Sequence, residues 1–368
     1  MSAVVPFPPV ASGPGRKPRA VRTEPRVALL GTGTVGKAFV ERCERLRAQG
    51  RDVPAFAWLS NTRALREGGA QPLEALAQLG VAAPVRRGAW APWVEAESLA
   101  RGDIIVDATA SDSVAGWHAE WLLRGVHVVT ANKLGNGGAL ARAQAIAEAR
   151  DDGGACYGDS ATVGAGLPLL RSIRGLVAGG DRIRSVEGVL SGSLAWLLDR
   201  HDGSRPFSAL VREAREQGYA EPDPRSDLSG EDVRRKLLIL ARAAGLALES
   251  DQVRVDSLLT GALASARPED VDALLSSLDA PLRERLAEAR AENARLRFVA
   301  RFDAEAAAVG LDALPATHPL GAGAGTDNIV AIRSCRYADQ PLLIQGPGAG
   351  AEVTAAALVD DVLAIAHR

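Results

Sequence analysis

The chain has 368 residues, 47% of them apolar, and a formal charge of −2 at neutral pH. That length suits about two domains, and the balanced charge excludes the polybasic signature of a nucleic-acid or membrane-surface binder. No apolar run reaches the ~20 residues of a membrane helix.

Residues 1–25 are rich in Pro, Ala and Arg. Pro6, Pro8 and Pro9 interrupt their only apolar stretch, which makes a poor signal-peptide core, so the segment reads as a disordered tail. Cys43, Cys156 and Cys335 are too scattered for a disulfide framework or a zinc site, and the histidines show no ligand spacing. A reducing, cytoplasmic setting is the resulting expectation. Basic positions are filled almost entirely by Arg. Lysine occurs only as Lys17, Lys37, Lys133 and Lys236, so each lysine carries more information than usual.

Residues 26–30 form a short apolar run that opens into Gly31-x-Gly33-x-x-Gly36, and Lys37–Arg47 has helical apolar spacing. In this strand–turn–helix context the glycines predict a dinucleotide-binding turn. Gly31 permits the tight turn, Gly33 lets a pyrophosphate approach the backbone, and Gly36 lets helix and strand pack closely. The unpaired N–H groups of the helix N-terminus face the phosphates. Pro54–Ser60 reads as a second strand with polar loop after it. An NAD-preferring site places an acid at that strand's end, but Ser60-Asn-Thr-Arg63 has none before Glu67. Its hydroxyls, amide and the Arg63 guanidinium suit a 2′-phosphate, so NADP(H) is preferred and NAD(H) remains an option.

Asp103–Thr109 and Val126–Ala131 are two more buried runs, connected by a helical segment over Ser113–Arg124. Short alternation of strand and helix predicts a Rossmann-type, doubly wound parallel sheet. Lys133 follows in Thr130-Ala-Asn-Lys133, past a strand's C-terminal end, where ligands of open α/β sheets bind. Its charge suits a substrate carboxylate or a reacting oxygen; position alone equally allows a plain surface lysine. Beyond about residue 155 the pattern becomes α+β. Strands are expected at Arg184–Leu190, Leu296–Phe302 and Ile329–Ser334, and helix over 266–295. Gly346-Pro-Gly-Ala-Gly350 feeds an amphipathic helix, Glu352–His367, able to pack back on the first domain. The expected division is a dinucleotide domain of 26–155 plus 340–368, and a substrate-binding and dimerisation domain of 156–339.

The densest polar cluster runs from Gly218 to Lys236, and its prolines Pro222 and Pro224 stiffen an acidic loop. Ser229 is the expected cap of a helix to about Ala244, with Asp232 at its third position in a capping-box-like start. Asp232 and Lys236 project from one face; alone, such a pair is a surface ion pair worth about 0.2–0.5 kcal/mol. The loop leading into it carries Glu221, Asp223 and Asp227, a plausible receptor for the ammonium of an amino-acid substrate. A lysine beside a carboxylate can supply the proton when a hydride reduces an aldehyde, and help take it in reverse.

These residues together resemble the homoserine dehydrogenase family over almost the whole length after the tail. The matching segments are Gly31–Gly36, Asp107-Ala-Thr109, Val128-Val-Thr-Ala-Asn-Lys133, Ala161-Thr-Val-Gly-Ala-Gly-Leu-Pro168, Gly188-Val-Leu-Ser-Gly-Ser-Leu194, Gly218-Tyr-Ala-Glu-Pro-Asp-Pro224, Asp227–Asp232 and Lys236. The Ser191-Gly-Ser193 version is similar to the dehydrogenase half of enzymes fused to aspartokinase, with no kinase or ACT region expected in this sequence. The resemblance implies NAD(P)-dependent interconversion of L-homoserine and L-aspartate 4-semialdehyde, in threonine and methionine biosynthesis, by a homodimer joined through the substrate domain. It implies Lys236 as proton donor with Asp232 beside it, Glu221 and Asp227 on the substrate, and Lys133 between nicotinamide and substrate. Gly33, Thr34, Val35, Thr109, Gly218 and Gly350 would line the cofactor. The family's sodium-like ion would use the carbonyls of Val163, Ala165 and Leu167, but Ser160 stands in place of the family's glutamate.

Two other readings stand beside this one. A catalytically silent NADP(H)-binding partner that regulates or assembles with a kinase would not need Glu221, Asp232 and Lys236 intact. Aspartate-semialdehyde dehydrogenase would need a cysteine nucleophile, and none of the three cysteines has an obvious activating context.

Overall fold

The computed structural model describes residues 24–83, 99–321 and 325–368; nearly all of the expected tail lies outside them. The chain enters at β1 (Val27–Leu30), all four residues buried, and turns into α1 (Thr34–Ala48). β2 (Phe56–Ser60), β3 (Leu65–Gly69) and α2 (Pro72–Gly80) follow, then β4 (Ile104–Asp107), α3 (Asp112–Gly116), α4 (His118–Leu123), β5 (His127–Thr130), α5 (Leu140–Gly153) and the short β6 (Tyr157–Gly158). The strands form one sheet in the order β3-β2-β1-β4-β5-β6, parallel except for β3. Side chains alternate between two cores, as strand geometry demands. Val27, Leu29, Ile104 and Val106 face one core, while Ala28, Leu30 and Ile105 face the other. This is the expected doubly wound sheet.

Three local expectations change. The polar loop after β2 is instead edge strand β3 and helix α2. Only Gly68 of β3 is buried, so no apolar alternation marks the strand. The helix expected over 113–124 is broken at Trp117, which ends α3 and precedes α4. The first sheet also reaches Gly158, three residues beyond the expected limit.

The second sheet is built from later strands around a larger core. α6 (Leu169–Ala178), β7 (Ile183–Val189), α7 (Gly192–Arg200), α8 (Phe207–Glu216), α9 (Arg225–Leu228) and α10 (Glu231–Ala243) come first. β8 (Val253–Val255), α11 (Gly261–Ala264), α12 (Val271–Leu274), α13 (Asp279–Ala291), β9 (Ala294–Phe302), β10 (Ala307–Pro315), β11 (Asp327–Ser334), β12 (Leu342–Pro347) and α14 (Ala351–Ala366) complete the chain. The strand order is β12-β11-β7-β9-β10-β8, antiparallel except where β8 meets β10. The single helix expected over 266–295 is a series of short turns, then α13, then the start of β9. Pro268 opens a 3-10 turn, and Pro281 sits in the first turn of α13, where its missing N–H has no intrahelical partner to lose.

β12 pairs with β11, so residues 342–347 belong to the second sheet and not to the first domain as expected. α14 does return to the first sheet. Its Ala355, Leu358, Val359 and Val362 share a core with Phe39 and Val40 of α1, and ion pairs join Arg45 to Glu352 and Asp52 to His367. Leu358 is fully buried there. Leu358→Ala is therefore expected to destabilise the first domain by about 2–5 kcal/mol, read as a lowered urea midpoint; an unchanged midpoint would show that the helix does not complete this core.

Candidate active site

Between β1 and α1 the backbone is arranged to receive an anion. Gly31 has φ +93°, and a Cβ there would lie 2.8 Å from the Ala108 carbonyl oxygen and 2.9 Å from Thr109 Cγ2. Gly36 is closer still, since a Cβ would stand 1.8 Å from the Gly31 oxygen. A Cβ on Gly33 would meet nothing within 4 Å. Gly33 caps α1 without any side chain occupying the cap, so the first-turn N–H groups of Thr34, Val35 and Gly36 keep their donors for a ligand. These features fit a dinucleotide pyrophosphate. At the end of β2, Asn61 Oδ1 accepts the Arg63 and Ala64 N–H groups at 2.8 and 3.1 Å, and its amide donates to Thr32 Oγ1 at 3.2 Å. Asn61 thus shapes the turn that leaves Arg63 exposed beside the glycine loop.

The lysines meet at one carboxylate. Lys236 Nζ lies 2.7 Å from Asp232 Oδ2, and Lys133 Nζ lies 3.3 Å from Asp232 Oδ1. Lys236 also donates to the Leu190 carbonyl at 2.8 Å. Burial by itself would raise the Asp232 carboxyl, but the two ammonium groups and their hydrogen bonds hold it well below the usual carboxylate range. The Asp232 side chain is nevertheless 42% exposed while that of Lys236 is 12% exposed, so solvent reaches the pair mainly at the carboxylate. Two of the three Lys236 donors are taken, and one remains for a substrate oxygen. The expected Ser229 cap does not form: Gly230, at φ +78°, is the N-cap of α10. Asp232 is taken by the lysines, and Ser229 Oγ accepts from Glu231 N–H at 3.3 Å.

A recess of about 690 Å³ is lined by Arg215, Gly218, Tyr219, Glu221, Pro222 and Asp227, among others. Tyr219 stacks on Trp196 at 5.1 Å between centroids, and Arg200 lies 4.1 Å from the Trp196 ring. Glu221 is exposed on the recess. Asp227 accepts the Ser193 hydroxyl at 2.6 Å and the Glu221 N–H at 2.8 Å, which fixes the loop and leaves each oxygen another lone pair. Asp223 is not available to a substrate, because Arg225 chelates it at 2.6–3.1 Å. The recess and the lysines are joined through residues 190–193. Leu190 anchors Lys236, Ser191 caps α7 and lies 3.0 Å from Ser193 Oγ, and Ser193 reaches Asp227. That link was invisible in the sequence, where the two serines served only as a family signature.

Thr109, at the end of β4, is held by Asp107, which accepts its N–H at 2.8 Å and its hydroxyl at 2.6 Å. Gly218 lies on the recess, and Gly350 caps α14 at φ +121°. Among the residues expected around a cation, Ser160 and the Leu167 carbonyl already have hydrogen-bond partners. Ser160 donates its hydroxyl to Asp361 Oδ1 at 2.8 Å and its N–H to Oδ2 at 2.9 Å, and the Leu167 carbonyl accepts the Leu169 N–H at 2.8 Å. Val163 and Ala165 are buried in the same loop. Among the described residues no group of three or more His, Cys, Asp or Glu side chains could hold a metal ion. No helix among them is long and apolar enough to cross a membrane.

Comparison with known proteins identifies the family. Residues 31–157 match the family model for the homoserine dehydrogenase NAD-binding domain, and residues 168–363 match that for homoserine dehydrogenase itself. A bifunctional aspartokinase/homoserine dehydrogenase of Escherichia coli is 43% identical over 265 residues, covering 72% of this chain and 33% of that protein. The chain thus spans about a third of that relative's length. The homoserine dehydrogenase of Saccharomyces cerevisiae is 37% identical over 273 residues, covering 72% of this chain and 76% of the yeast protein. A solved structure of a putative homoserine dehydrogenase from Archaeoglobus fulgidus superposes with a TM-score of 0.75 at 27% identity, covering 93% of this chain and 99% of that one. On the site and these matches together, the chain belongs to the homoserine dehydrogenase family.

Proposed function

We propose that the protein interconverts L-homoserine and L-aspartate 4-semialdehyde, the reaction of threonine and methionine biosynthesis, with NADP(H) as preferred cofactor. The observation that carries this reading is the Asp232 carboxylate shared by Lys133 and Lys236 at the edge between the nucleotide turn and the acidic recess. The bound nicotinamide supplies or accepts the hydride. Lys236 gives its remaining N–H to the aldehyde oxygen, becoming the proton source for the new hydroxyl, and in reverse helps remove that proton. Asp232 holds the Lys236 ammonium in place at 2.7 Å. Lys133 adds positive charge where the substrate carboxylate or reacting oxygen lies, and Glu221 takes the substrate ammonium beside Asp227. The reading uses no monovalent cation.

The cofactor preference rests on Arg63 and the missing acid after β2. The expected homodimer rests on the second sheet, whose edge strand β12 presents Leu343 at 49% exposure. A silent regulatory partner has no support, since the proton-transfer residues are intact and assembled. The cysteine-dependent alternative also fails on geometry. Cys43 is buried, and that burial pushes its thiol up to about 12, while Cys156 and Cys335 lie outside the lysine site.

Lys236→Ala is expected to lower homoserine-dependent NADP+ reduction by about 10²–10⁴-fold while NADPH fluorescence titration shows retained binding. Wild-type turnover in that variant would remove Lys236 from its role. Arg63→Ala is expected to weaken NADPH about tenfold, the loss of one charge-assisted phosphate contact, and to leave NADH nearly unchanged. Equal effects on both cofactors would remove the 2′-phosphate assignment. Light scattering is expected to give twice the chain mass, and Leu343→Glu to shift it toward the monomer; a monomeric wild type would exclude the dimer.

A further inference from the structure

A buried polar network stands behind the lysines and takes part in none of the proton steps. Asp107, fully buried at the end of β4, accepts four hydrogen bonds. At Oδ1 these come from the Thr109 N–H and hydroxyl, at 2.8 and 2.6 Å. At Oδ2 they come from the Asn132 amide at 2.9 Å and from His118 Nε2 at 3.0 Å. An ionised carboxylate only accepts, so Nε2 carries the proton. The other ring nitrogen of His118 lies 3.0 Å from the Tyr157 hydroxyl, and His118 itself is 0% exposed.

The network closes on the turn that presents Lys133. Asn132 donates from the same amide to the Ser111 carbonyl at 2.9 Å, and its Oδ1 accepts the Leu134 N–H at 3.1 Å. The residues on both sides of Lys133 are therefore pinned. Gly135 packs directly against the ring pair: a Cβ there would lie 2.4 Å from the Tyr157 hydroxyl and 3.1 Å from His118 Nδ1. Lys133 then reaches Asp232 across the cleft at 3.3 Å, the longer of the two lysine contacts. A small rotation of the 132–135 turn would break it.

We propose that His118 is a positioning residue for the reaction: by completing the donors around Asp107 it fixes Asn132, and through that turn places the Lys133 ammonium against Asp232 at the substrate cleft. An apolar side chain in its place leaves Asp107 Oδ2 short of a donor where no water reaches, and the carboxylate turns to recover one. Asn132, which shares that oxygen, then shifts with it. Displacement of a catalytic group by about 1 Å from a remote change is enough to cost up to 10²-fold in rate.

This inference rests on the homoserine dehydrogenase reading, and the experiment separates the two. His118→Phe, His118→Gln and wild type are compared for kcat and for KM of homoserine, with rates expressed per NADPH-binding site so that unfolded protein does not count. His118→Phe is expected to lower kcat about tenfold, with a raised homoserine KM and an NADPH dissociation constant within about twofold of wild type. His118→Gln keeps a donor for Asp107 and is expected to recover most of kcat even where it melts as early as the Phe variant. Wild-type kcat and KM in His118→Phe overturn the proposal, as does a Gln variant as slow as the Phe variant. If His118→Phe does not fold, Tyr157→Phe removes only the partner of Nδ1 and is expected to lower kcat severalfold; an unchanged kcat there also overturns it. A wild-type protein without homoserine turnover overturns the functional reading instead.

Discussion

One carboxylate holds two ammonium groups that come from different halves of the chain. Lys133 lies just beyond β5 in the nucleotide-binding half, whereas Asp232 and Lys236 stand on α10 in the other half. The importance of this contact is geometric. It ties the loop that follows β5 to helix α10. Burial works against the charge on Asp232, and the two lysines outweigh it. Removing Lys133 would remove the contact that crosses between the two halves.

The acidic loop depends on the same junction from the other side. Leu190 anchors Lys236 through its carbonyl, and Ser193, three residues on, anchors Asp227 through its hydroxyl. Asp227 in turn holds the backbone of Glu221. A four-residue stretch therefore sets the spacing between Lys236 and Glu221. Arg225, by contrast, withdraws Asp223 into an internal chelate. Three acidic side chains that look equivalent along the loop have different roles once their neighbours are known.

The sequence was most legible where structure is local. An apolar run ending in spaced glycines can do little except enter a tight turn and a helix, so β1 and α1 were readable. The four-residue interval of Asp232 and Lys236 placed both on one helix face without tertiary information. The scarcity of lysine drew attention to Lys133, yet its meeting with Asp232 needs two domains and has no local signal. Edge strand β3 carried no alternation because solvent covers most of it, and the helix over 266–295 was misread because its composition outweighed its prolines. Ser229 looked like a cap, but Gly230 could adopt the left-handed conformation that the turn into α10 requires. The Asp107–His118–Tyr157 network joins residues up to fifty positions apart, and nothing in their immediate neighbours announces it.

The return of α14 to the first sheet has a consequence for how the molecule is made. Val27, Phe39, Val40, Ile104 and Val129 are all available early in synthesis, but the surface they form is closed by Ala355, Leu358, Val359 and Val362. While the entire second sheet is being built, the nucleotide-binding half remains an open apolar groove. It completes its own interior only after the other half has been threaded between its parts, so the order of translation and the order of completion run opposite ways.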